Sequence, residues 1–215
     1  MRKQPLDVNE YYHIYNRGVE KRKVFLSNRD YNRFLTSMKE FNQIDPIHSL
    51  YRHSQQERKQ DVGVGHLRME KLVEIICYCL NPNHFHLILK QSTEHGISEY
   101  MKRLGGGYTN YFNYHYKRSG VLFQGKFKSI RIRTNAHLLY LSAYVNKNYF
   151  IHGYGDDFDW PYSSFLDYTG KRNGGICDTG VILNEFKNKN EYREFIKENS
   201  LYMKEKKERE KYLLE

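Results

Sequence analysis

The chain has 215 residues, a formal net charge of +10 and a hydrophobic content of 39%. That length permits one domain with a real core plus an extension, or at most two small domains. No apolar run approaches a membrane span, and the start at Met1 lacks the apolar segment of a secretory signal, so a cytoplasmic setting is expected.

Three cysteines fit a reduced compartment better than a disulfide framework. Cys77 and Cys79 share a strand face and read as buried small side chains rather than metal ligands. The positive charge favours a polyanionic partner, nucleic acid first. Twenty tyrosines among lysines and arginines suit stacking on exposed bases. The plain alternative is a basic, Tyr-rich surface with no specific ligand.

Taken in order, Tyr11 to Gly18 is aromatic and β-branched and reads as a first strand. Ser27 with Asp30 has the form of a helix N-cap, and Tyr31, Phe34, Leu35, Met38 and Phe41 follow at helical spacing. Residues 48–71 are polar and irregular and read as a long insertion. Leu72 to Leu80 and Phe85 to Gln91 form a hairpin around Asn81-Pro82-Asn83. Ile97, Tyr100, Met101, Leu104, Tyr108, Tyr111 and Phe112 make a second helical stripe, interrupted by Gly105-Gly106-Gly107, which mark either a kink or a place where another backbone comes close, at a cost of about 1 kcal/mol per glycine. Arg131 and Arg133 alternate with Ile130 and Ile132 in a fourth strand. Asn135 can cap a helix from Ala136 to about Phe150, with Gly153 ending it. A helical extension follows, with helices expected over 181–186 and 191–196. The first six elements match the split βαβ arrangement of the ferredoxin-like fold, an α+β class with an antiparallel sheet. The last helix is extra and is expected to reach the free sheet face. The expected organisation is a domain over 1–153 and an extension over 154–215.

His84 and His86 lie two positions apart on a strand, so both imidazoles point to one face. Such a pair can give two ligands to a divalent metal, or can merely hydrogen-bond a buried polar neighbour. Asn148 offers a neutral amide oxygen suited to Mg²⁺ or Mn²⁺. Tyr144, one turn earlier, offers a phenol that is a poor nucleophile at pH 7 unless the site helps. Composition alone cannot choose it among the other tyrosines.

On these residues the sequence resembles the HUH-class single-tyrosine transposases, and among them the REP-associated tyrosine transposases. His84-Phe85-His86 is similar to the family's histidine-hydrophobic-histidine motif, preceded by its Leu-x-Pro-x turn as Leu80-Asn81-Pro82-Asn83. Tyr144-Val145-Asn146-Lys147-Asn148 resembles the Tyr-Ile-x-x-Asn helix motif. Residues 13–18, 120–127 and 160–165 resemble further family segments. The usual Asn-Pro-Val is here Asn148-Tyr149-Phe150, without the proline. The resemblance implies an enzyme that cuts and transfers single-stranded DNA, with a hairpin beside the recognised sequence. Tyr144 would attack a phosphodiester and leave a 5′-phosphotyrosine and a free 3′-OH. His84, His86 and Asn148 would hold Mg²⁺ or Mn²⁺. Arg17, Tyr108, Tyr111, Gln124, Lys126, Lys128, Arg131 and Arg133 are the candidate DNA contacts. The chain would act as a monomer or homodimer. The alternatives are a non-catalytic nucleic-acid-binding module of the same fold, or a domesticated site-specific nickase.

Overall fold

The computed structural model describes residues 5–45, 70–155 and 160–212. Most of the expected insertion, 48–69, lies outside the described residues.

Four strands form one antiparallel sheet: β1 (Tyr11–Arg17), β2 (Val73–Asn81), β3 (His84–Gln91) and β4 (Lys128–Ile132), in the spatial order β2-β3-β1-β4. This is the strand order of the split βαβ unit expected from the sequence. The helices α1 (Asn28–Glu40) and α2 (Gly96–His115) belong to that unit. Helix α1 opens with the expected Ser27 cap and a reciprocal bond from the Asp30 side chain. The Asp30 carboxylate accepts from the Leu26 and Ser27 amides at 2.8 and 3.0 Å, and from the Tyr111 and Tyr116 hydroxyls at 2.9 and 2.8 Å.

Both helices cover one face of the sheet, where Tyr12, Ile14, Phe85, Leu87 and Leu89 meet Phe34, Met38, Tyr100, Leu104 and Tyr108. Helix α2 runs unbroken through its three glycines, so of the two readings the kink is not realised. Burying each large apolar side chain of its stripe is worth roughly 1.5–3 kcal/mol, which outweighs the glycine cost. Only Gly107 has a steric reason to be glycine: a Cβ there would come within 2.7 Å of the Phe41 ring.

The opposite face is covered on its β2–β3 side. There α3 (Asn135–Asn146) and α4 (Asn148–Ile151) pack against Ile76, Cys77, Cys79 and Ile88. The sequence suggested one helix over 136–150 capped by Asn135. The cap is instead Thr134, whose Oγ1 accepts from the His137 amide at 3.2 Å. The helix also breaks at Lys147, where the backbone has φ −110° and ψ 16°. The Lys147 side chain is fully buried against the Tyr149, Phe150 and Phe165 rings, at 5.0, 5.5 and 4.5 Å from their centroids. The break therefore comes with a buried side chain rather than a proline.

The extension contains α5 (Phe165–Tyr168), α6 (Gly180–Leu183) and α7 (Lys189–Tyr212). Helix α7 is one continuous helix that runs well beyond the 191–196 segment expected to be helical. Its Tyr192, Ile196 and Met203 join the same apolar cluster as Val145 and Tyr149. No helix among the described residues is long and apolar enough to cross a membrane.

Candidate active site

Strand pairing sets the floor of the site. Asn81 pairs with His84 and His84 with Arg17; Cys79 pairs with His86, His86 with Tyr15, and Tyr15 with Lys128. Paired residues share a face, so these two rows stand together on the face opposite the Phe85–Leu87 core. His13, two residues before Tyr15, stands in the next row.

The His84 ring is locked. The Asn83 side chain donates from Nδ2 to the Lys21 carbonyl at 3.2 Å, which turns its Oδ1 towards His84 Nδ1 at 2.6 Å. The Tyr154 hydroxyl donates to the same oxygen at 3.0 Å. An oxygen so placed can only accept, so His84 carries its proton on Nδ1 and presents a lone pair on Nε2. That lone pair meets the Asn148 Oδ1, another acceptor, at 3.1 Å. The Asn81 amide bridges them, its Nδ2 lying 3.0 Å from His84 Nε2 and 2.7 Å from Asn148 Oδ1. The Asn148 Nδ2 is buried with no hydrogen-bond partner among the described residues.

His86 Nδ1 lies 2.8 Å from His13 Nε2. In the tautomer in which His86 donates there, its Nε2 carries a lone pair, and its ring packs edge-on to that of His84 with centroids 5.1 Å apart. Burial lowers the basicity of His13, His84 and His152 to a pKa of about 4, and that of His86 well below its usual value. The neighbouring charge of Lys207 adds to the effect at His152. At neutral pH all four rings are neutral, the form in which an imidazole binds a metal.

Among the described residues no group of three His, Cys, Asp or Glu side chains is placed to hold a metal. A third donor must therefore be of another kind, and the Asn148 amide oxygen is such a donor. Two imidazole nitrogens and an amide oxygen suit a divalent cation with open positions. Opposed lone pairs at 3.1 Å, held apart only by the Asn81 amide, fit that use.

Tyr144 comes from the same chain. Its ring packs edge-on to His86 and His13, with centroids at 5.5 and 6.1 Å. Burial raises its phenol pKa, and the nearby Asn148 side chain opposes the shift. The phenol is therefore protonated at neutral pH and must lose its proton to act as a nucleophile.

The end of α3 is held by the Trp160–Phe165 segment. Ser163 Oγ donates to the Asn146 carbonyl at 2.7 Å and Ser164 Oγ to Asn146 Oδ1 at 2.5 Å. The Tyr78 amide donates to Ser164 Oγ at 2.9 Å, tying the same serine to β2. These bonds fix Tyr144 and Asn148 relative to the strand hairpin.

Several expected DNA contacts lie elsewhere. Tyr108 is fully buried under the helices and donates to the Val24 carbonyl at 2.7 Å, so it is a core residue. Tyr111 is bound to Asp30, with His115 stacked at 5.8 Å and Arg33 at 5.2 Å over its ring. Arg131 pairs across β1 with Tyr12, which puts it on the helix-side face, and it is neutralised by Asp7 and Glu10 at 2.7 Å each. Arg133 lies beyond the end of β4. Arg17, Gln124, Lys126 and Lys128 are exposed. Arg17 and Lys128 rise from the rows that carry the histidines. Sequence reasoning missed Asn81, Asn83, His13, Tyr15 and His152. Alternation along β1 already put His13 and Tyr15 on the face of Arg17.

Residues 48–148 match the family described as transposase, IS200-like. The segment contains His84, His86, Tyr144 and Asn148. The resemblance to single-tyrosine transposases is borne out by this match, which supports a function in DNA transposition. A solved structure described as a REP-associated tyrosine transposase bound to a REP hairpin is 17% identical, covering 80% of this chain and 86% of that one with a TM-score of 0.49. No curated protein matches the chain.

Proposed function

We propose that this chain is a single-tyrosine DNA transposase that nicks single-stranded DNA and transfers the strand. The observation that carries the reading is the convergence of His84 and His86 from β3 with Asn148 from α4, beside Tyr144 of the same chain. The family match over residues 48–148 supports it. Residues 1–153 would form the catalytic unit, with 154–215 packed on it.

In the proposed reaction the Tyr144 phenol gives up its proton and its oxygen attacks the scissile phosphorus. A Tyr–O–P bond forms and the bond from phosphorus to the 3′-oxygen breaks. The leaving oxygen takes a proton and becomes a free 3′-OH. The phosphotyrosine keeps the energy of a phosphodiester, so a 3′-OH can reverse the step and join new ends. A divalent cation, Mg²⁺ or Mn²⁺, bound by His84, His86 and Asn148 would draw charge from the phosphorus and stabilise the charge built up in attack. Asn83 and His13 orient the two imidazoles, and Asn81 must swing aside for the lone pairs to be used. The placement of Tyr144 over its own chain's histidines supports action within one subunit.

The test is a denaturing gel of the full chain with a panel of hairpin-bearing single strands and Mn²⁺. A covalent adduct is expected for the wild type and none for Tyr144→Phe. An adduct that survives the substitution, or no adduct across the panel, contradicts the proposal.

A further inference from the structure

Several cations that rise from the framework are neutralised nearby. Arg131 meets two carboxylates, Lys90 meets Glu74 at 3.3 Å, Arg103 meets Glu99 at 2.9 Å and Arg172 meets Asp167 at 2.7 Å. The rim of the histidine site is different. Arg17 stands opposite His84 in the sheet register and shares its face. From the far side, α7 brings Lys207, whose Nζ lies 2.7 Å from His152 Nδ1 and 3.2 Å from the Ile151 carbonyl. The His152 ring in turn packs 5.1 Å from that of His84. Arg17 and Lys207 are both exposed, and neither forms an ion pair among the described residues. Each charge acts on His84 and on His152, and the two act unfavourably on each other. Glu208, next to Lys207 in the chain, is the acid whose charge reaches that lysine.

Two like charges brought to one rim repel each other unless an anion joins them. We propose that Arg17 and Lys207 form a two-cation clamp for a phosphodiester of the strand next to the one that is cut. Helix α7 is then part of the DNA site and not only packing for α3. The inference rests on the reading of the histidine cluster as a DNA-processing centre. Arg17 comes from the first strand and Lys207 from the last helix, so the clamp spans the catalytic unit and its extension. His152 holds the lysine in place: its Nδ1 accepts from the ammonium, while the Ile151 carbonyl accepts a second hydrogen bond from it.

The competing role is structural. A lysine that donates to the last carbonyls of a helix can simply cap it, here α4. The two roles separate in a binding measurement made without metal, where no strand is cut. Anisotropy of a labelled hairpin-bearing single strand is followed against salt, with EDTA present, for the full chain. Each lost phosphate contact should reduce the slope of log K against log salt by about 0.7. That reduction is expected for Lys207→Gln and for Arg17→Gln, and about twice as much for the pair. Lys206→Gln, an exposed neighbour on α7, should keep the wild-type slope. A wild-type slope in Lys207→Gln overturns the clamp, and so does a fall in melting temperature with the slope unchanged. Inorganic phosphate, titrated at constant ionic strength, should displace the strand no better than chloride. Phosphate-specific displacement that disappears in Lys207→Gln would assign the site to a free anion and also overturn the proposal. Because the readout needs neither metal nor cleavage, loss of the clamp leaves the adduct result standing, and loss of the adduct leaves the slopes standing.

Discussion

The two faces of one sheet do different work. Strand β3 sends Phe85, Leu87 and Leu89 to one face and His84, His86 and Ile88 to the other. On the helix side the aromatic rings interlock, as Phe34 does with Phe85 and Tyr108 at 5.3 and 5.0 Å. Their hydroxyls are satisfied by main-chain carbonyls, Tyr108 by Val24 and Tyr100 by Met38. On the other side the polar groups bind one another, and one of them, Asn148 Nδ2, has no partner among the described residues. The first face supplies stability through burial. The second holds two acceptors against each other, an arrangement that burial alone does not favour. One rigid strand lets the first face pay for the second.

If this division is real, substitutions on the two faces should fail in different ways. The largest effect is expected on the helix side. Phe34→Ala empties a fully buried site and should cost about 3–5 kcal/mol in chemical unfolding. Its folded fraction should still bind Mn²⁺ with wild-type affinity. A loss below 1 kcal/mol would mean that this face does not carry the stability.

Acid should strike the other face. His13 and His84 have pKa values lowered to about 4 by burial, against an ordinary value near 6.5. The unfolded chain therefore binds more protons than the folded one as pH falls from 6.5 towards 4. Stability is full above pH 6.5 and should drop by a few kcal/mol on the way down. Melting temperatures at pH 7 and pH 5 test this. The drop should be smaller in His13→Phe, and an equal drop would remove that histidine from the account.

His13→Phe also sharpens the division at neutral pH. It keeps a ring beside His86 and removes the acceptor that favours the His86 tautomer proposed to bind metal. Mn²⁺ affinity by calorimetry should fall about 10–100-fold, as for other losses of a group that orients a ligand. His13→Gln should restore part of it. Unchanged affinity in His13→Phe would show that His86 needs no such partner.

The smallest effect separates the glycines of α2. Gly105→Ala, with open space around its Cβ, should stabilise by up to about 1 kcal/mol. Gly107→Ala should not, because its Cβ meets the Phe41 ring.

Much of the framework was legible in the chain. Alternation put His84 and His86 on one face, and helical spacing put Tyr144 one turn from Asn148. The element order announced the sheet. What was not legible depends on contacts between distant elements. Which face Arg131 takes is set by its register against Tyr12. Tyr108 and Tyr111 belonged to an apolar stripe, yet their abundance with other tyrosines suggested DNA contacts. The break at Lys147 has no proline or glycine to mark it. His13 lay visibly on the face of Arg17, but its bond to His86 requires β1 to sit beside β3. Lys207 reaches the site only through the packing of α7.

The central claim is that Tyr144, over its own chain's histidines, is the nucleophile. Proteolysis of the adduct formed with a labelled single strand, followed by mass mapping, locates the modified residue. The nucleotide should be found on Tyr144. A nucleotide on Tyr15, which stacks on His86 at 5.6 Å, or on any other tyrosine, would contradict the account.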